Sequence, residues 1–309
     1  MPAVSVVMPA YNAGAYIGEA LDSILAQRVD DIEIVVVDDG SSDGTVEVAR
    51  SRGVPVRVVT QPNQGSAVAR NRALDEARAP LVAFLDADDV WLPGKLDAQL
   101  RALGRDPSLG GVFSAWHVWT PDAAGTYTRP PADDATPADA FDESESGWLY
   151  HHLLMTSVIL TSSLVLRREV IDAVGRFRTD LRRGQDYDYW LRLSRVARIG
   201  KLARRYVLYR MHDASVASLH PDRNYELEIV EDALARYGAA GPDGATADAD
   251  RLRARRASLA HGFAYRQFWR GNMRRARGAF WHAARLSPGH AKNWLYLAAA
   301  AAGSLVRPR

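Results

Sequence analysis

The first hundred residues alternate short apolar runs with amphipathic runs, and this alternation limits the fold more than any other feature of the chain. The apolar runs are rich in β-branched residues and predict strands, whereas the others space apolar residues as helices do. Such alternation is typical of an α/β fold, a mostly parallel sheet with helices on both faces. The predicted strands are 4–8, 32–37, 56–59 and 81–85, and the predicted helices are 16–27, 45–51 and 65–77.

The middle of the chain continues with less regular elements. We expect a helix over 95–103 and strands over 111–119, 157–166 and 206–210. Residues 120–146 differ in composition, with seven acids, one arginine and four prolines. That composition predicts an exposed loop or lid.

Composition excludes several classes of function. The 309 residues include no cysteine, which excludes disulfide scaffolds, thiolate metal sites and cysteine nucleophiles. A net charge of +2 is too small to indicate a nucleic-acid partner. The N-terminus lacks the pattern of a secretory signal, and no apolar run reaches the length of a membrane-spanning helix.

A second change of composition follows residue 238. A linker over 241–244 leads into a helical region, in which residues 251–285 contain ten arginines and no acid. Small and aromatic residues there match the second half of a tetratricopeptide-type helix pair. We therefore predict two domains, 1–238 and a helical appendage over 239–309, whose basic face could meet water, acidic lipid or a partner protein. The matching residues are Gly271, Ala276, Phe280, Ala283 and Pro288.

Polar residues gather where the predicted strands end. In parallel sheets, ligands bind beyond the carboxyl ends of the strands. Here those ends carry residues 9–12, 38–41 and 86–89. The sequence thus predicts one site at this edge of the sheet.

The triplet Asp86-Ala87-Asp88 follows a predicted strand directly. Two carboxylates at this spacing can face one cleft, and Mg²⁺ or Mn²⁺ takes such oxygen ligands together with substrate phosphates. The alternative is that Asp88 or Asp89 caps the next helix.

Asp38 and Asp39 end another predicted strand, before a segment that contains Gly40. Carboxylates there can accept hydrogen bonds from a ribose hydroxyl or a base imide. Ser41, Ser42 or Asp43 can cap the helix that follows. The sequence contains neither a Gly-x-Gly-x-x-Gly fingerprint nor a Walker A loop, which disfavours dinucleotide and P-loop chemistry.

Together these segments resemble the family 2 glycosyltransferases, inverting enzymes of the GT-A fold. The resemblance covers residues 4 to about 215. It implies a nucleotide-sugar half over 1–115 and an acceptor half over 116–238. The matching segments are 4–12, 35–45, 63–65, 69–71 and 84–89.

The resemblance implies roles for individual residues. Pro9, Tyr11 and Asp39 would border the nucleoside, Asp86 would lie by the ribose, and Asp88 would hold Mg²⁺ or Mn²⁺ on the diphosphate. Arg70 is a further nucleotide-site candidate, with a surface helix position as its alternative.

Two later segments also resemble family motifs. Gln185-Asp186 matches the start of a Glu-Asp-x-x-x-Trp helix, which makes Asp186 the expected general base and places Gln185 where a glutamate is usual. A favourable helix N-terminal charge is the alternative for Asp186. The segment ending in His212 is similar to a Tyr-Arg-x-His motif, so His212 is either a metal or diphosphate ligand or an ordinary loop residue.

The implied activity is metal-dependent transfer of a sugar, with inversion, from a UDP-, GDP- or dTDP-sugar to a hydroxyl of a glycan or lipid-linked acceptor. We expect a bacterial envelope-glycan enzyme in the cytoplasm, with peripheral contact to the inner face of the membrane left open. Trp116, Trp119 and Trp148 are candidates for stacking on sugars, although core packing is also expected for at least one of them.

Two rival classes remain at this point. A sugar-1-phosphate nucleotidyltransferase would carry a basic, glycine-rich loop after the first strand, and residues 10–14 contain no basic residue. A decayed scaffold, binding a partner through its helical C-terminus, would be expected to lose the acids that this chain retains, although Gln185 hints at such loss.

Overall fold

The computed structural model describes residues 2–133, 135–212 and 222–306. The chain forms two compact units, Met1–Tyr150 with Ser157–Leu219 and His151–Thr156 with His220–Arg309. The strands are β1 Val4–Ala10, β2 Ile32–Asp38, β3 Val56–Thr60, β4 Leu81–Phe84, β5 Val90–Trp91, β6 Leu109–Trp119, β7 Val165–Arg167 and β8 Arg198–Arg210. The helices up to residue 193 are α1 Ile17–Leu25, α2 Thr45–Arg50, α3 Ser66–Glu76, α4 Lys95–Arg105, α5 Tyr150–Leu153, α6 Arg168–Val174 and α7 Gln185–Leu193.

The first unit contains a mixed sheet of eight strands in the order β3-β2-β1-β4-β7-β6-β8-β5. Strands β1 to β4 are mutually parallel, β7 runs antiparallel to its two neighbours, and β6 pairs with β8 in parallel. Every residue of β1 is buried. Because successive side chains of a strand point to opposite faces, both faces of the sheet are covered there. The predicted α/β architecture with a mostly parallel first half is confirmed.

The register of the parallel strands brings their carboxyl ends to one edge. Ala10 pairs with Asp38, and Val7 pairs with Phe84 two residues before Asp86. The polar segments after β1, β2 and β4 therefore start from neighbouring strand ends, as the sequence predicts.

The predicted strand over 157–166 is wrong for most of its length. The segment forms a 3-10 turn at Thr161–Ser163, and only the short β7 follows. Three consecutive buried hydroxyl residues explain the difference, because such side chains bond nearby groups in place of a strand ladder. The Ser163 hydroxyl, for example, donates to the carbonyl of Leu160 at 2.7 Å.

Much of the acidic loop over 120–146 is attached through its acids. Asp139 pairs with Arg105 at 2.5 Å, and Asp142 pairs with Lys201 at 3.0 Å. Glu145 also pairs with Lys201. The excess of acids is thus partly balanced by cations of the same unit.

The second unit is helical, as the sequence predicts. Ala264, Ala276, Phe280 and Ala300 form its buried centre, and Gly271, at φ +81°, lies in the turn between the helices Ala249–Trp269 and Met273–Leu286. Residues 222–238 belong to this compact unit in the structure. The domain boundary at residue 238 stays a prediction, because contacts alone do not show which segment folds or functions by itself. Its long helices are α8 Tyr225–Tyr237, α9 Ala249–Trp269, α10 Met273–Leu286 and α11 Ala291–Val306.

Within the described residues, no helix combines the length and the apolar character that crossing a membrane requires.

A lysine lies in the core of the first unit. The side chain of Lys95 is fully buried, its Nζ donates to Oε1 of Gln99 at 2.8 Å, and it lies 3.9 Å from the centre of the Trp91 ring. A cation over an aromatic ring gains about 0.5–2 kcal/mol, whereas desolvating an ammonium group costs several kcal/mol. Burial therefore dominates and lowers the pKa of Lys95 well below its ordinary value.

Replacing Lys95 with Met should stabilise the protein at pH 7. Because the pKa of Lys95 is lowered in the folded protein, the unfolded chain, in which the group keeps its ordinary pKa of about 10.5, binds more protons at every pH between the two values. This costs the native protein up to about 1.4 kcal/mol for each pH unit below 10.5. In urea unfolding, the advantage of Lys95→Met should be large at pH 7 and shrink towards pH 10.

Lys201→Met is the matched control. Hydrogen bonds from Lys201 to Glu145 and Asp142 outweigh its desolvation and raise its pKa. That contribution to stability is complete below the unfolded pKa, so the control should be destabilised at pH 7 and equally at pH 9. An advantage of Lys95→Met that does not shrink towards pH 10 would contradict the lowered pKa of Lys95.

Candidate active site

The turn after β4 presents three acids, and burial separates their roles. Asp89 is 1 % exposed, whereas the side chains of Asp86 and Asp88 are 34 % and 32 % exposed. The hydroxyl of Ser162 accepts from the Asp86 amide at 3.1 Å and donates to the Asp89 carboxylate at 2.5 Å. Asp89 is therefore a support inside the turn, and Asp86 and Asp88 are the two acids open to a ligand.

The end of β8 lies against this turn. The Arg210 amide donates to Asp89 Oδ1 at 3.0 Å, and the Arg210 Nε donates to the Asp88 carbonyl at 2.8 Å. Two residues later, His212 Nε2 lies 3.0 Å from Asp88 Oδ2. The structure thus brings together the predicted metal residues Asp88 and His212. Burial and the nearby Asp86 carboxylate raise the pKa of Asp88.

Arg210 was not among the site residues that the sequence suggested, although it lies inside the Tyr-Arg-x-His segment. It is 5 % exposed, and its Nη2 donates to Glu19 at 2.5 Å. Its guanidinium also lies 4.3 Å from the Trp119 ring centre and 4.7 Å from that of Tyr127. A long-range contact such as Glu19–Arg210, 191 positions apart, has no signature in a single sequence.

Arg70, on α3, is the buried cation of the site. It is 4 % exposed, and its Nη2 donates to Asp86 at 2.7 Å. Within the part of the chain that the structure describes, its Nε and Nη1 have no hydrogen-bond partner. A surface helix position, the alternative for Arg70, is excluded by its burial. A buried guanidinium whose N–H donors lack partners is suited to binding an anion.

Asp39 is engaged in fixing the loop before α3. It is 3 % exposed and accepts from the Gln61 side chain at 2.7 Å and from the amides of Gln64 and Gly65 at 3.0 and 2.7 Å. Gly40 has φ +80°, and a Cβ there would lie 2.9 Å from the Asn63 amide. The close approach of the two loops therefore requires glycine at position 40.

The loop after β1 lies at the same edge of the sheet, next to the segment that follows β2. Tyr11 is 54 % exposed, whereas Pro9 is buried in β1. The Asn12 amide donates to the Ser41 hydroxyl at 2.8 Å, and Asn12 Oδ1 accepts from the Ser42 amide at 2.9 Å. These bonds hold the backbone next to Tyr11 beside the end of β2.

Asp186 lies in the first turn of α7, and its carboxylate accepts from the Tyr187 amide at 2.8 Å. Burial raises the pKa of Asp186, the Arg70 charge lowers it, and the Asp86 charge raises it further. The pKa of Tyr209 is raised first by burial and then by the charges of the four acids Asp89, Asp88, Asp86 and Asp186. Asp186 thus belongs to the same electrostatic neighbourhood as the acids that follow β4.

Gln185 joins α7 to α3. Its Nε2 donates to the Ser66 hydroxyl at 2.6 Å, while its buried Oε1 has no hydrogen-bond partner among the described residues. Ser66 follows Gly65, which donates to Asp39. This chain of contacts connects the start of α7 to the end of β2.

The three tryptophans suggested for sugar stacking differ in environment, and Trp148 is half-buried. Trp119 is 5 % exposed, clusters with Val90 and Leu208, and donates through Nε1 to the Thr128 carbonyl at 2.8 Å. This is the core packing that the sequence also allowed. Trp116 is half-buried against the main core. Its contact with a sugar stays a prediction.

Asp88 and His212 are compatible with a divalent ion. Among the described residues there is no group of three or more His, Cys, Asp or Glu side chains with metal-site geometry. A pair of side chains is nevertheless sufficient for Mg²⁺, which commonly takes one or two protein ligands and completes its shell with phosphate oxygens and water. The donor set thus fits an ion that arrives with a phosphorylated ligand.

Comparison with known proteins is consistent across sequence and structure. The family model described as Glycosyl transferase family 2 matches residues 5–131. The chain is 33 % identical over 196 residues to the putative teichuronic acid biosynthesis glycosyltransferase TuaG of Bacillus subtilis, covering 62 % of this chain and 72 % of TuaG. It is 27 % identical over 245 residues to the chondroitin synthase of Pasteurella multocida, of which it covers 24 %.

Solved structures show the same fold. S. aureus TarS 1–349 in complex with UDP-GlcNAc superposes with a TM-score of 0.66 at 19 % identity, over 93 % of this chain and 81 % of that one. The mannosyltransferase PcManGT from Pyrobaculum calidifontis, solved with GDP-Man and Mn²⁺, gives a TM-score of 0.56 at 23 % identity, over 98 % and 81 %. At these identities the likeness establishes the fold, which is of the GT-A type.

Ser162→Ala should destabilise the acid turn. It removes the acceptor of the Asp86 amide and the donor to the buried Asp89 carboxylate, and leaving such groups unpaired costs about 1–3 kcal/mol. The free energy of unfolding in urea measures this loss. Ser163→Ala is the control, because Ser163 is equally buried but, within the described part of the chain, its hydroxyl bonds only the Leu160 carbonyl of its own turn. Equal losses in both variants would argue against a special role for Ser162.

Proposed function

The chain belongs to the family 2 glycosyltransferases, enzymes of glycan synthesis, and we propose that it transfers a sugar with inversion from a nucleoside diphosphate sugar to an acceptor hydroxyl, assisted by Mg²⁺ or Mn²⁺. The observation that supports this most is that two side-chain pairs form around the turn after β4 and that the charges of the second pair act on a third group. These are the Asp88–His212 pair, the Asp86–Arg70 pair and the Asp186 carboxylate.

The donor is proposed to bind along the ends of β1, β2 and β4. Tyr11 offers an exposed ring to a base, and Pro9 and Asp39 shape the loop walls beside it. Because three protein donors already engage Asp39, we expect it to act on the nucleoside mainly by fixing the loop. A UDP-, GDP- or dTDP-sugar is the donor class that we propose. TarS and PcManGT, with UDP-GlcNAc and GDP-Man, support it by analogy.

The diphosphate is proposed to lie between Arg70 and the Asp88–His212 pair. The Nε and Nη1 of Arg70, which are buried and have no hydrogen-bond partner among the described residues, are suitable donors to phosphate oxygens, and Asp86 keeps the guanidinium oriented. Asp88 and His212 would hold the divalent ion, and a bound ion supplies Lewis-acid stabilisation of the leaving diphosphate. Arg210 and Ser162 keep Asp88 in position through the backbone and through Asp89.

Asp186 is proposed to accept the proton of the attacking hydroxyl. Burial raises its pKa and makes the carboxylate a stronger base, while the Arg70 charge favours the ionised form that can act. Direct attack on the anomeric carbon from the face opposite the diphosphate inverts that centre and requires no covalent nucleophile. Gln185 is proposed to position Asp186 by tying the start of α7 to Ser66.

Trp116 is proposed to contact the acceptor. The acceptor itself is proposed to be a glycan or a lipid-linked molecule of a bacterial envelope pathway. TuaG, whose name refers to teichuronic acid biosynthesis, supports the polysaccharide setting by analogy. We propose a cytoplasmic enzyme that works near the inner face of the membrane.

Asp88→Ala and Asp186→Asn separate binding from chemistry. With Mn²⁺ present, Asp88→Ala should lose most affinity for the donor in calorimetry across UDP-, GDP- and dTDP-sugars. Asp186→Asn should keep that affinity and lower kcat by about 10²–10⁴-fold, the usual contribution of a general base.

The control for both variants is Asp97→Asn, an exposed acid on α4 whose partner is Arg101. It should change neither affinity nor rate. Transfer that survives in Asp186→Asn would exclude it as the base, and donor binding that is indifferent to both EDTA and Asp88→Ala would exclude the metal role.

The pH dependence of transfer should report Asp186. Because the carboxylate must be ionised, kcat/KM should fall as pH decreases through its raised pKa. Arg70→Gln removes the charge that opposes this rise and should move the acid limb upward by about one pH unit. Arg70→Lys keeps the charge and should leave the limb near its original position, even if the rate falls. An acid limb that does not move in Arg70→Gln would argue against Asp186 as the titrating group.

A further inference from the structure

The outer face of α10 in the helical unit is basic and aromatic. Arg274, Arg277, Trp281 and Arg285 recur at intervals of three and four residues, so they lie on one face, and all four are exposed. The opposite face contains Ala276, Phe280 and Ala283 and is buried. We call Arg274, Arg277, Trp281 and Arg285, together with Trp294 of α11, the α10 ridge.

The tryptophans of the ridge are open to solvent. Trp281 is 50 % exposed, Trp294 is 42 % exposed, and their ring centres are 6.1 Å apart. The Trp294 Nε1 donates to the Pro288 carbonyl at 2.8 Å, which fixes that ring at the surface. Next to it, Leu295 is 68 % exposed. Large apolar side chains at such exposure are an uncommon arrangement in a face that serves only water.

The charge of the ridge is uncompensated. No ion pair of Arg274, Arg277 or Arg285 occurs among the described residues, and residues 251–285 contain no acid. By contrast, Arg253 of α9 pairs with Asp250 at 2.8 Å. The α10 ridge is therefore complementary to a negatively charged partner.

We propose that the α10 ridge is a docking surface for an anionic lipid membrane. Arginines attract anionic headgroups, and tryptophan and leucine side chains enter the interfacial layer beside them. These two properties are typical of an interfacial helix, which lies on a membrane without crossing it. A second copy of the chain fits less well, because a twofold contact would place arginine against arginine. This proposal does not depend on the chemistry proposed for the first unit.

The test measures binding of the full chain to lipid vesicles by co-sedimentation. Binding is expected with vesicles of phosphatidylglycerol and phosphatidylcholine, not with phosphatidylcholine alone, and it should weaken as salt is raised from 0.15 to about 0.5 M, because salt screens exposed charges.

Matched variants locate the surface. Each arginine near an anionic membrane contributes a factor of about five in affinity. Arg277→Ala should therefore weaken binding about fivefold, and adding Arg285→Ala should weaken it about 25-fold. Arg253→Ala, the same substitution at an exposed arginine that has an acidic partner, should change affinity less than twofold. Trp281→Ala should weaken binding to anionic vesicles without altering its salt dependence.

Several outcomes would overturn the proposal. These are no binding to anionic vesicles, equal losses in Arg277→Ala and Arg253→Ala, or preference for a soluble polyanion such as dextran sulfate over vesicles. Concentration-dependent dimers that Trp281→Ala abolishes in the absence of lipid would show that a second copy covers the ridge. Circular dichroism and thermal unfolding of each variant verify that a loss of binding does not come from unfolding.

Discussion

The site depends on one buried carboxylate that itself faces no ligand. Asp89 accepts from the Ser162 hydroxyl on one oxygen and from the Arg210 amide on the other. Three segments far apart in the chain, the turn after β4, the 3-10 turn before β7 and the end of β8, are thereby joined at a single side chain. Burial raises the pKa of Asp89 well above its ordinary value. Burying this carboxylate therefore destabilises its charged form, and its hydrogen bonds offset part of that cost.

The single cation Arg70 interacts with two acids of the site. Its guanidinium bonds Asp86 directly and also lowers the pKa of Asp186, so one cation serves two acids with different proposed tasks. The ring of Phe177 lies 5.2 Å from the same guanidinium and closes one side of it. Because the group is held by packing as well as by charge, its remaining donors keep a fixed direction, which favours recognition of one ligand geometry.

Much of this arrangement could be predicted from the sequence. The alternation of strands and helices gave the parallel half of the sheet, and the register of parallel strands then makes polar residues at their ends neighbours. Local motifs also suggest Asp88, His212 and Asp186, and the structure places the first two in contact, while the roles of all three stay predictions. The junction residues Ser162, Asp89 and Glu19 were not predicted, because their roles come from contacts between residues 73 to 191 positions apart. The sequence predicts a strand in place of the 3-10 turn Thr161–Ser163, because apolar residues flank these three hydroxyl residues on both sides.

Glu19 accepts from Arg210 of the site and also from Arg129 of the acidic loop, at 2.5 and 2.7 Å. A carboxylate with two cationic partners can release one and still be neutralised by the other. Detachment of Arg129 would thus leave the support of Arg210 in place. A substitution of Arg129 is therefore expected to leave the backbone that carries His212 undisturbed.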